Sequence, residues 1–586
     1  MTSPAHESTF NFRNVKGDVL GGLTAGIVTL PLALAFGLQS GLGAVSGLYC
    51  AILLGAVAIL CGGTRTLIST PTGPMTVVAA LTIAQAIAMA GSLERALGTI
   101  LGIFLLAGAV QIAFGLLKFG GNVKYIPYPV LSGFMTGIGI ILILFQMYPL
   151  VGLPSPSNII DGITGWPQAF PSINLQAFAL GAITLLILYM TPKITTTVPA
   201  TLLALLVGTF MSITGGFSVP LIGEVTQGLP SLQLNALWHL DVSQPWFILS
   251  AALTLGALGC IDTLLTAVIV DKITETKHHS DRELIGQGLG NMASGLFGGL
   301  PGAGTTMSSI VNVKAGGRTR LAGVISSLFL LAVLLGLGTY VQYVPIPVLA
   351  AILITVGLDI IDYKGLKEVM KVDRAEGAIL LIVLVMTVFV DLITAVGIGM
   401  TLSVFIFMKK MGVIGEEKIA LFPLRSLKVR KPCDLKEEFI LPQDTLDHVY
   451  IKTFSGPVFF GFSQYLIDNL KQLPEVKILV FEMNRVPYLD QSAAHALELV
   501  FEYMHKRGIQ VLLANVNSQP LAMLRAVDLV PRLIQEDHLF EDIFDCVRWL
   551  EEDFVNQPSS QDSHSLASRS AKGQGHPYEN IKNVIN

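Results

Sequence analysis

The sequence predicts a polytopic α-helical membrane protein, with fourteen spans arranged as two inverted repeats of seven, followed by a soluble α/β domain. Of its 586 residues, 52% are hydrophobic and only 13% are charged, about half the charged share of soluble proteins. Charge is also unevenly placed. The chain has 37 basic and 41 acidic residues, 78 in all, and 44 of these 78 lie from Lys409 onward. A short phrase recurs, as YIPYPVL over 125–131 and YVPIPVL over 343–349.

Long uncharged runs define the membrane spans. Residues 19–64 and 321–358 carry no charged side chain, and about 20 apolar residues in a helix cross the hydrocarbon core. The predicted spans lie near 19–38, 44–62, 72–90, 96–117, 128–150, 173–191, 196–216, 245–270, 284–299, 304–313, 321–340, 346–360, 375–390 and 392–408.

The recurring phrase predicts the symmetry of the membrane part. Seven predicted spans separate the start of one copy from the start of the next, so the second copy enters the membrane from the opposite face. Inverted repeats of this kind are typical of secondary transporters, which bind substrate near the midplane where the repeats meet. The predicted transport domain covers 19–408, with repeats at about 19–216 and 245–408.

Basic residues predict the orientation of the chain. With the segment 1–18 in the cytoplasm, 18 of the 19 Lys and Arg residues up to Lys410 fall on the cytoplasmic side, and Arg95 is the exception. Short cytoplasmic loops are enriched in Lys and Arg. Both termini are therefore predicted to be cytoplasmic.

Two predicted spans begin with broken helix. Residues 69–75 (STPTGPM) precede span three, and 298–306 (GGLPGAGTT) precede span ten, seven spans later. Gly and Pro interrupt helices, and irregular backbone at membrane depth survives only inside protein or against a water-filled cavity. Each following half-helix presents free N–H groups at its positive end. Two such ends facing each other predict an anion site; packing kinks are the alternative.

Asp262 lies deep in predicted span eight. A carboxylate at mid-membrane costs at least a few kcal/mol, which makes it a candidate functional residue. Thr266 lies one turn further along the same helical face. Carboxylate, hydroxyl and backbone carbonyl oxygens together suit a small alkali cation. Asp262 as a proton carrier, or as a residue that only pairs two helices, are the alternatives.

Hydroxyls at the two breaks are candidate anion ligands beside the free N–H groups. They belong to Thr72, Thr305 and Thr306. A lone Thr in a membrane helix also bonds its own backbone, which is the alternative role for each. Phe36 and Gln39 in span one are further candidates for lining the same cavity.

The C-terminal part changes pattern. A charged linker is predicted over 409–446 and an α/β domain over 447–554, and the polar segment 555–586 is predicted to be disordered. Strands are predicted over 448–454, 476–481 and 508–514, and helices near 462–472, 491–506, 518–527 and 538–554. This domain shows no metal-ligand cluster or nucleophile–base pair, so an enzyme is not expected. The net charge of -4 without a basic tract argues against nucleic acid as a partner.

Several of these segments carry a family resemblance. The matching motifs are LPLALAFG at 30–37, PTGPM at 71–75 and GGRTRLAG at 316–323. With them the chain resembles the SulP family of inorganic anion permeases over roughly 11–550. Within the family it is similar to the sodium-dependent bicarbonate transporters, through LGCID at 258–262, ELIGQGLGN at 283–291 and GAG at 302–304.

The resemblance implies a function. It implies secondary active transport of a small inorganic anion, with sodium-dependent bicarbonate symport as the expectation and sodium as coupling ion without any other cofactor. A sulfate permease coupled to sodium or protons, and an anion channel, are the alternatives. A core domain would move against a gate domain in an elevator-like manner, in the lipid of the plasma (inner) membrane. A homodimer is also implied, with a cytoplasmic STAS domain as a candidate for its interface.

The resemblance also implies site residues. Carried onto this sequence, sodium would be held by Asp262, Thr266, Gly304 and Thr306. The anion would contact Thr72, Thr305 and Thr306. In bacterial relatives of the STAS domain, a phosphorylated Ser directly follows an Asp, whereas here Asp490 is followed by Gln491. A scaffold or dimerisation role is therefore expected for this domain.

Overall fold

The computed structural model describes residues 14–156, 158–195, 198–223, 230–238, 240–241, 243–372, 374–390, 392–417, 420–426, 447–460 and 476–556. The chain divides into two compact units, Met1–Val404 and Phe405–Asn586. The predicted helix near 462–472, residues 1–13 of the predicted cytoplasmic N-terminus and residues 557–586 of the predicted tail lie outside the described residues.

A helix occupies each of the fourteen predicted span positions. The helices from the N-terminus to residue 417 are α1 (Val15–Ser40), α2 (Ala44–Cys61), α3 (Gly73–Ala90), α4 (Leu93–Leu116), α5 (Tyr128–Leu150), α6 (Ile159–Thr164), α7 (Trp166–Ala169), α8 (Leu175–Ile194), α9 (Ala200–Thr214), α10 (Leu234–Leu237), α11 (Pro245–Thr274), α12 (Ser280–Leu296), α13 (Thr306–Lys314), α14 (Arg320–Val341), α15 (Ile346–Ile360), α16 (Tyr363–Val372), α17 (Arg374–Phe389) and α18 (Leu392–Glu417). Among the described residues, eight helices are long and apolar enough to cross a membrane, and α9, α14 and α15 contain shorter apolar segments.

The two predicted breaks form a strand pair. Strand β1 (Ser69–Thr70) pairs antiparallel with β2 (Ala303–Gly304), with Ser69 opposite Gly304 and Thr70 opposite Ala303. The pair gives backbone groups of the irregular segments hydrogen-bond partners, which buried peptide groups require. Because β1 leads into α3 and β2 leads into α13 in opposite directions, the two helices start beside each other and run apart.

The helices of this unit pack in two groups. Helices α1–α4 pack with α11–α14, whereas α5 packs with α15 and α17, and α8 packs with α9 and α15. Close approach within the first group depends on glycine. A Cβ on Gly288 of α12 would lie 2.4 Å from the carbonyl oxygen of Gly108 in α4, and one on Gly108 would lie 2.6 Å from that of Gly288. Larger residues there would force α4 and α12 apart.

The second unit contains a five-stranded sheet. Its strands are β3 (Ala420–Pro423), β4 (Val449–Ser455), β5 (Ile478–Arg485), β6 (Gln510–Ala514) and β7 (Leu539–Phe540), in that spatial order. Strand β3 is antiparallel to β4, and the other neighbours are parallel. The helices are α19 (Gln491–Lys506), α20 (Ser518–Ala526), α21 (Leu529–Arg532) and α22 (Ile543–Asn556). Alternation along the strands builds one core against α19 and another against α22.

Two segments of this unit differ from the sequence-based boundaries. Within the predicted linker 409–446, α18 continues to Glu417 and residues 420–423 form the edge strand β3. Pro423 ends that strand, a position where its missing N–H is tolerated. The predicted helix over 538–554 begins only at Ile543, because Leu539 and Phe540 pair with β6. Segments of two to four residues are too short for periodicity to reveal.

Candidate functional site

The start of α3 is closed by its own side chain and tied to α11. Thr72 is the N-cap, and its Oγ1 accepts a hydrogen bond from the Met75 amide at 3.5 Å. The Thr72 carbonyl accepts from the Thr76 amide at 2.9 Å. The Thr72 hydroxyl then donates to Oδ2 of Asp262 at 2.7 Å. One threonine therefore both caps α3 and orients the carboxylate of α11.

The start of α13 is open. Thr305 is the N-cap but its side chain makes no capping hydrogen bond. Its amide donates to the Ile68 carbonyl at 2.8 Å, and its carbonyl accepts from the Ser309 amide at 3.1 Å. No described residue accepts a hydrogen bond from the next three amides, those of Thr306, Met307 and Ser308. These donors lie at the positive end of the helix dipole, where anions are favoured.

Helix α11 contacts the start of α13 as well. Thr266, only 1% exposed, lies with its Oγ1 2.8 Å from Oγ1 of Thr306. The Gly304 amide donates to Oγ1 of Thr263 at 3.1 Å. Asp262 and Thr266, one turn apart on α11, therefore reach the starts of α3 and α13 respectively. The structure brings together oxygen atoms of Asp262, Thr72, Thr266 and Thr306 around the strand pair.

The two candidates on α1 occupy different environments. Phe36 is 3% exposed, and its Cε1 lies 3.9 Å from the position that a Cβ would take on Gly73. It therefore packs against the start of α3. Oε1 of Gln39 is buried and has no hydrogen-bond partner among the described residues. No described contact joins Gln39 to the helix starts.

Thr70 belongs to the same cluster, although it is not among the predicted site residues. It is 3% exposed, and its Oγ1 lies 2.5 Å from Oγ1 of Thr305. The strand pairing explains this contact, because Thr70 ends β1 beside the beginning of β2. The pairing of two distant segments is not visible in a single sequence.

A polar stripe on α12 holds the strand pair in place. Nε2 of Gln287 donates to the Ser69 hydroxyl at 2.5 Å. Nδ2 of Asn291 donates to the Gly302 carbonyl at 3.0 Å, and Oδ1 of Asn291 accepts from the Gly302 amide at 2.8 Å. Glu283 accepts from the Gln287 side chain at 2.9 Å. The spacing of four residues within an apolar region is the sequence signal that reveals such a stripe.

The arrangement offers two kinds of chemistry within one cluster. Carboxylate and hydroxyl oxygens on α11, α3 and α13 are ligands that a hard cation prefers. The free amides at the start of α13 are donors that an anion prefers. Neither requires a cationic side chain at the site.

Comparison with known proteins decides the family. The model of the sulfate permease family matches residues 15–383, and that of the STAS domain matches residues 443–545. The chain belongs to the sulfate permease family. It is therefore a membrane transporter and not an enzyme, and its second unit contains a STAS domain, as the sequence predicted.

Individual known transporters are similar to this chain in sequence or in fold. The bicarbonate transporter BicA of Picosynechococcus sp. is 39% identical over 536 residues, covering 89% of this chain and 92% of the relative. The solved transmembrane domain of a cyanobacterium bicarbonate transporter BicA has 44% identity and a TM-score of 0.61, covering 66% of this chain and 98% of that domain. The murine Solute Carrier 26 family member A9 anion transporter, at 19% identity, shares the fold over 93% of this chain and 92% of its own, with a TM-score of 0.78.

Proposed function

We propose that this protein is a secondary active transporter that couples sodium entry to the uptake of bicarbonate. Its similarity to bicarbonate transporters over most of the chain supports the substrate. The observation that carries the coupling is the position of Asp262, whose carboxylate lies 2.7 Å from the Thr72 hydroxyl at one helix start. Thr266, one turn along the same helix, contacts the other helix start.

Sodium binds between α11 and the start of α13. Its ligands are Asp262, Thr266, Gly304 and Thr306. The 2.8 Å contact between the Thr266 and Thr306 hydroxyls supports this set, because it shows that the two side chains converge. Each hydroxyl oxygen has two lone pairs and one rotating proton, so both can turn lone pairs toward a cation. The sodium ion would neutralise the single carboxylate of the cluster.

The anion binds at the open start of α13. The free amides there donate to its oxygens, and the anion also contacts Thr72, Thr305 and Thr306. Phe36 and Gln39 are the proposed lining residues of the same space. Without sodium, the Asp262 carboxylate repels the anion; two unit charges about 4 Å apart interact by roughly 4 kcal/mol at an effective dielectric constant of about 20. Sodium removes this repulsion. Each ion therefore increases the affinity for the other, which is the thermodynamic basis of symport.

Transport proceeds by an elevator-like exchange between inward- and outward-facing states. Fourteen spans form two inverted repeats of seven, within the domain 19–408. The core domain is α1–α4 with α11–α14, and it moves against a gate domain that includes α5, α8, α9, α15 and α17. The two packing groups of helices support this division. The positive-inside pattern supports cytoplasmic termini in the plasma (inner) membrane.

The STAS domain, 447–554, serves as a scaffold and supports a homodimer. Asp490 caps α19, with Oδ1 accepting from the Ala493 amide at 2.8 Å and Oδ2 accepting from the Phe460 amide at 3.0 Å. The exposed residue after it is Gln491, which offers no hydroxyl for phosphorylation. A constitutive structural role fits this position better than a phosphorylation switch.

The test is uptake of labelled bicarbonate into proteoliposomes, with and without an inward sodium gradient. We expect sodium-dependent uptake by wild type. In Asp262→Asn we expect uptake to fall by at least about 100-fold, because the buried sodium ion loses the carboxylate that balances its charge. Asp161→Asn, which changes an exposed carboxylate on α6, is the matched control. Bicarbonate uptake that is indifferent to sodium and survives in Asp262→Asn would contradict the proposal and favour a channel.

Sulfate is the second candidate substrate, favoured by the description of the matching family. The same vesicles distinguish the two, because labelled sulfate can replace bicarbonate. Sulfate uptake driven by an inward proton gradient, without sodium, would identify Asp262 as a proton carrier.

A further inference from the structure

The protons of the Thr70–Thr305 pair can be assigned by counting. A Thr hydroxyl carries one proton and two lone pairs. Thr70 lies 3.2 Å from the carbonyl oxygen of Pro71, which can only accept, so Thr70 donates there. Either hydroxyl can donate across the 2.5 Å contact between them, and with the Thr70 proton on Pro71 the donor is Thr305.

The carbonyl of Pro71 holds this arrangement in place. Pro71 is buried, and Thr70 is the only described group that donates to its carbonyl oxygen. The Met75 amide, four residues on, is directed to the Thr72 side chain instead. A buried carbonyl without a donor is unfavourable. Thr70 therefore keeps its proton on Pro71 and remains an acceptor for Thr305.

Two of the hydroxyls assigned to the anion site thus present only lone pairs. Thr305 is half-buried and, in this assignment, donates its hydrogen bond to Thr70. Thr72 donates its hydrogen bond to Asp262. The donors left at the site are the free amides of α13 and one proton of the Thr266–Thr306 pair.

We propose that Thr70 makes this site selective for an anion that carries its own hydroxyl, by holding the proton of Thr305 away from the substrate. The inference rests on the proposed function and names the chemical class of substrate. Bicarbonate has one O–H, which donates to Oγ1 of Thr305 while its other oxygens accept from the α13 amides. Sulfate at neutral pH and nitrate have no proton to donate. Their oxygens would face the lone pairs of Thr305, and a site built to receive a substrate hydroxyl rejects analogues that lack it.

Nitrate isolates the effect of the hydroxyl, because it is planar and singly charged like bicarbonate. The experiment measures inhibition of sodium-driven uptake of labelled bicarbonate by nitrate in proteoliposomes of the full chain. In wild type, we expect half-inhibition by nitrate to require at least about tenfold more anion than half-saturation by bicarbonate, the cost of one unmatched buried acceptor.

The variant Thr70→Val removes the acceptor for Thr305, whose proton then becomes available to the substrate. We expect nitrate to inhibit this variant at least about tenfold better than wild type, by the same unmatched-acceptor cost. Thr70→Ser keeps the hydroxyl and should restore the discrimination. Thr305→Val removes the acceptor itself, so it should weaken bicarbonate and relieve the repulsion of nitrate, and the discrimination between the two anions should be lost. A purely structural role for Thr70 would weaken both anions together.

The outcomes separate this inference from the proposed function. Equal competition by nitrate and bicarbonate in wild type would overturn the role of Thr70 while leaving bicarbonate transport intact. Discrimination against nitrate without sodium dependence would overturn the proposed coupling alone. Sulfate uptake without bicarbonate uptake would overturn both. If Thr70→Val yields no folded transporter, an unchanged half-saturation for bicarbonate in Thr305→Val overturns the inference by itself.

Discussion

The starts of α3 and α13 follow the two strands of one antiparallel pair, yet they differ in how many backbone donors they leave free. Both follow a two-residue strand of one antiparallel pair and both have a threonine at the N-cap. Thr72 caps α3 with its hydroxyl oxygen, Pro74 has no amide proton to offer, and the Gly73 amide alone has no acceptor among the described residues. Thr305 leaves α13 uncapped, with three amides unsatisfied among the described residues.

The difference suits the two unlike ions of the proposed site. The closed start uses its threonine proton to orient the Asp262 carboxylate, which is the cation side of the proposed site. The open start keeps its backbone donors for the anion. Because the strand pair places the two starts side by side, a cation bound as proposed would lie near the anion and offset its charge.

The largest effect is expected from a substitution that supplies the missing N-cap of α13. Thr305→Asp places a carboxylate at the N-cap of α13, where it accepts from the amides that the anion needs. We expect loss of anion uptake by at least about 100-fold through combined repulsion and blocked donors. A cap contributes about 1 kcal/mol to the free energy of unfolding, but a carboxylate in the membrane costs at least a few kcal/mol, so no net gain in stability is expected.

Thr305→Asn supplies a neutral cap and is the control for charge. It should weaken uptake less than Thr305→Asp does. The readouts are labelled bicarbonate uptake and thermal unfolding of the purified protein. If Thr305→Asp transports normally, the anion does not use the start of α13.

A weaker intervention opens the closed start. Thr72→Val removes both the cap of α3 and the donor to Asp262, so the carboxylate is less well oriented for sodium. We expect stability to fall by about 1 kcal/mol and the sodium concentration for half-maximal uptake to rise about tenfold, the effect of losing one hydrogen bond to a charged group. Thr72→Ser keeps both hydrogen bonds. An unchanged sodium dependence in Thr72→Val would disconnect Thr72 from the cation.

The smallest effect on transport is expected from a substitution of Lys452, which lies in the STAS domain and not in the membrane unit. It is 4% exposed in strand β4, and no described residue forms an ion pair or hydrogen bond with its ammonium group. Burial lowers the pKa of Lys452 from 10.5 to about 8. Between these values the unfolded chain binds more protons than the folded chain, so stability rises with pH.

Lys452→Met should therefore stabilise the STAS domain by about 3 kcal/mol at pH 7, because the pKa falls from 10.5 to about 8 and one unit of pKa corresponds to about 1.4 kcal/mol. The advantage over wild type should shrink as pH increases from about 8 toward 10.5. Thermal unfolding of the full chain across this range measures it. A difference that stays constant with pH would show that the effect is packing alone. Sodium-driven uptake should be unchanged.

Much of the fold followed from the sequence because the membrane constrains it strongly. Uncharged runs located the helices, and α5 begins and ends where the pattern predicted, at Tyr128 and Leu150. Gly and Pro around residues 72 and 302 marked the two breaks. The sequence predicts a linker over 409–446 and misses the strand β3, because four residues carry too little periodicity to identify a strand.

The candidate site was predictable only where burial makes a residue conspicuous. Asp262 stands out because a carboxylate is expensive in a membrane helix. Thr70 does not, since its importance comes from a contact with Thr305 across 235 positions of sequence. The contrast between a capped and an uncapped helix start is also hidden, because both begin with threonine and differ only in side-chain direction.

The most direct test of paired ion sites is the affinity for bicarbonate as a function of sodium concentration. It would be measured by calorimetric titration of the purified full chain and of Asp262→Asn. We expect sodium to increase bicarbonate affinity by at least about tenfold in wild type, within the range of typical coupling free energies, and to have no effect in Asp262→Asn. A bicarbonate affinity that does not depend on sodium in wild type would contradict the proposal that the two helix starts bind their ions together.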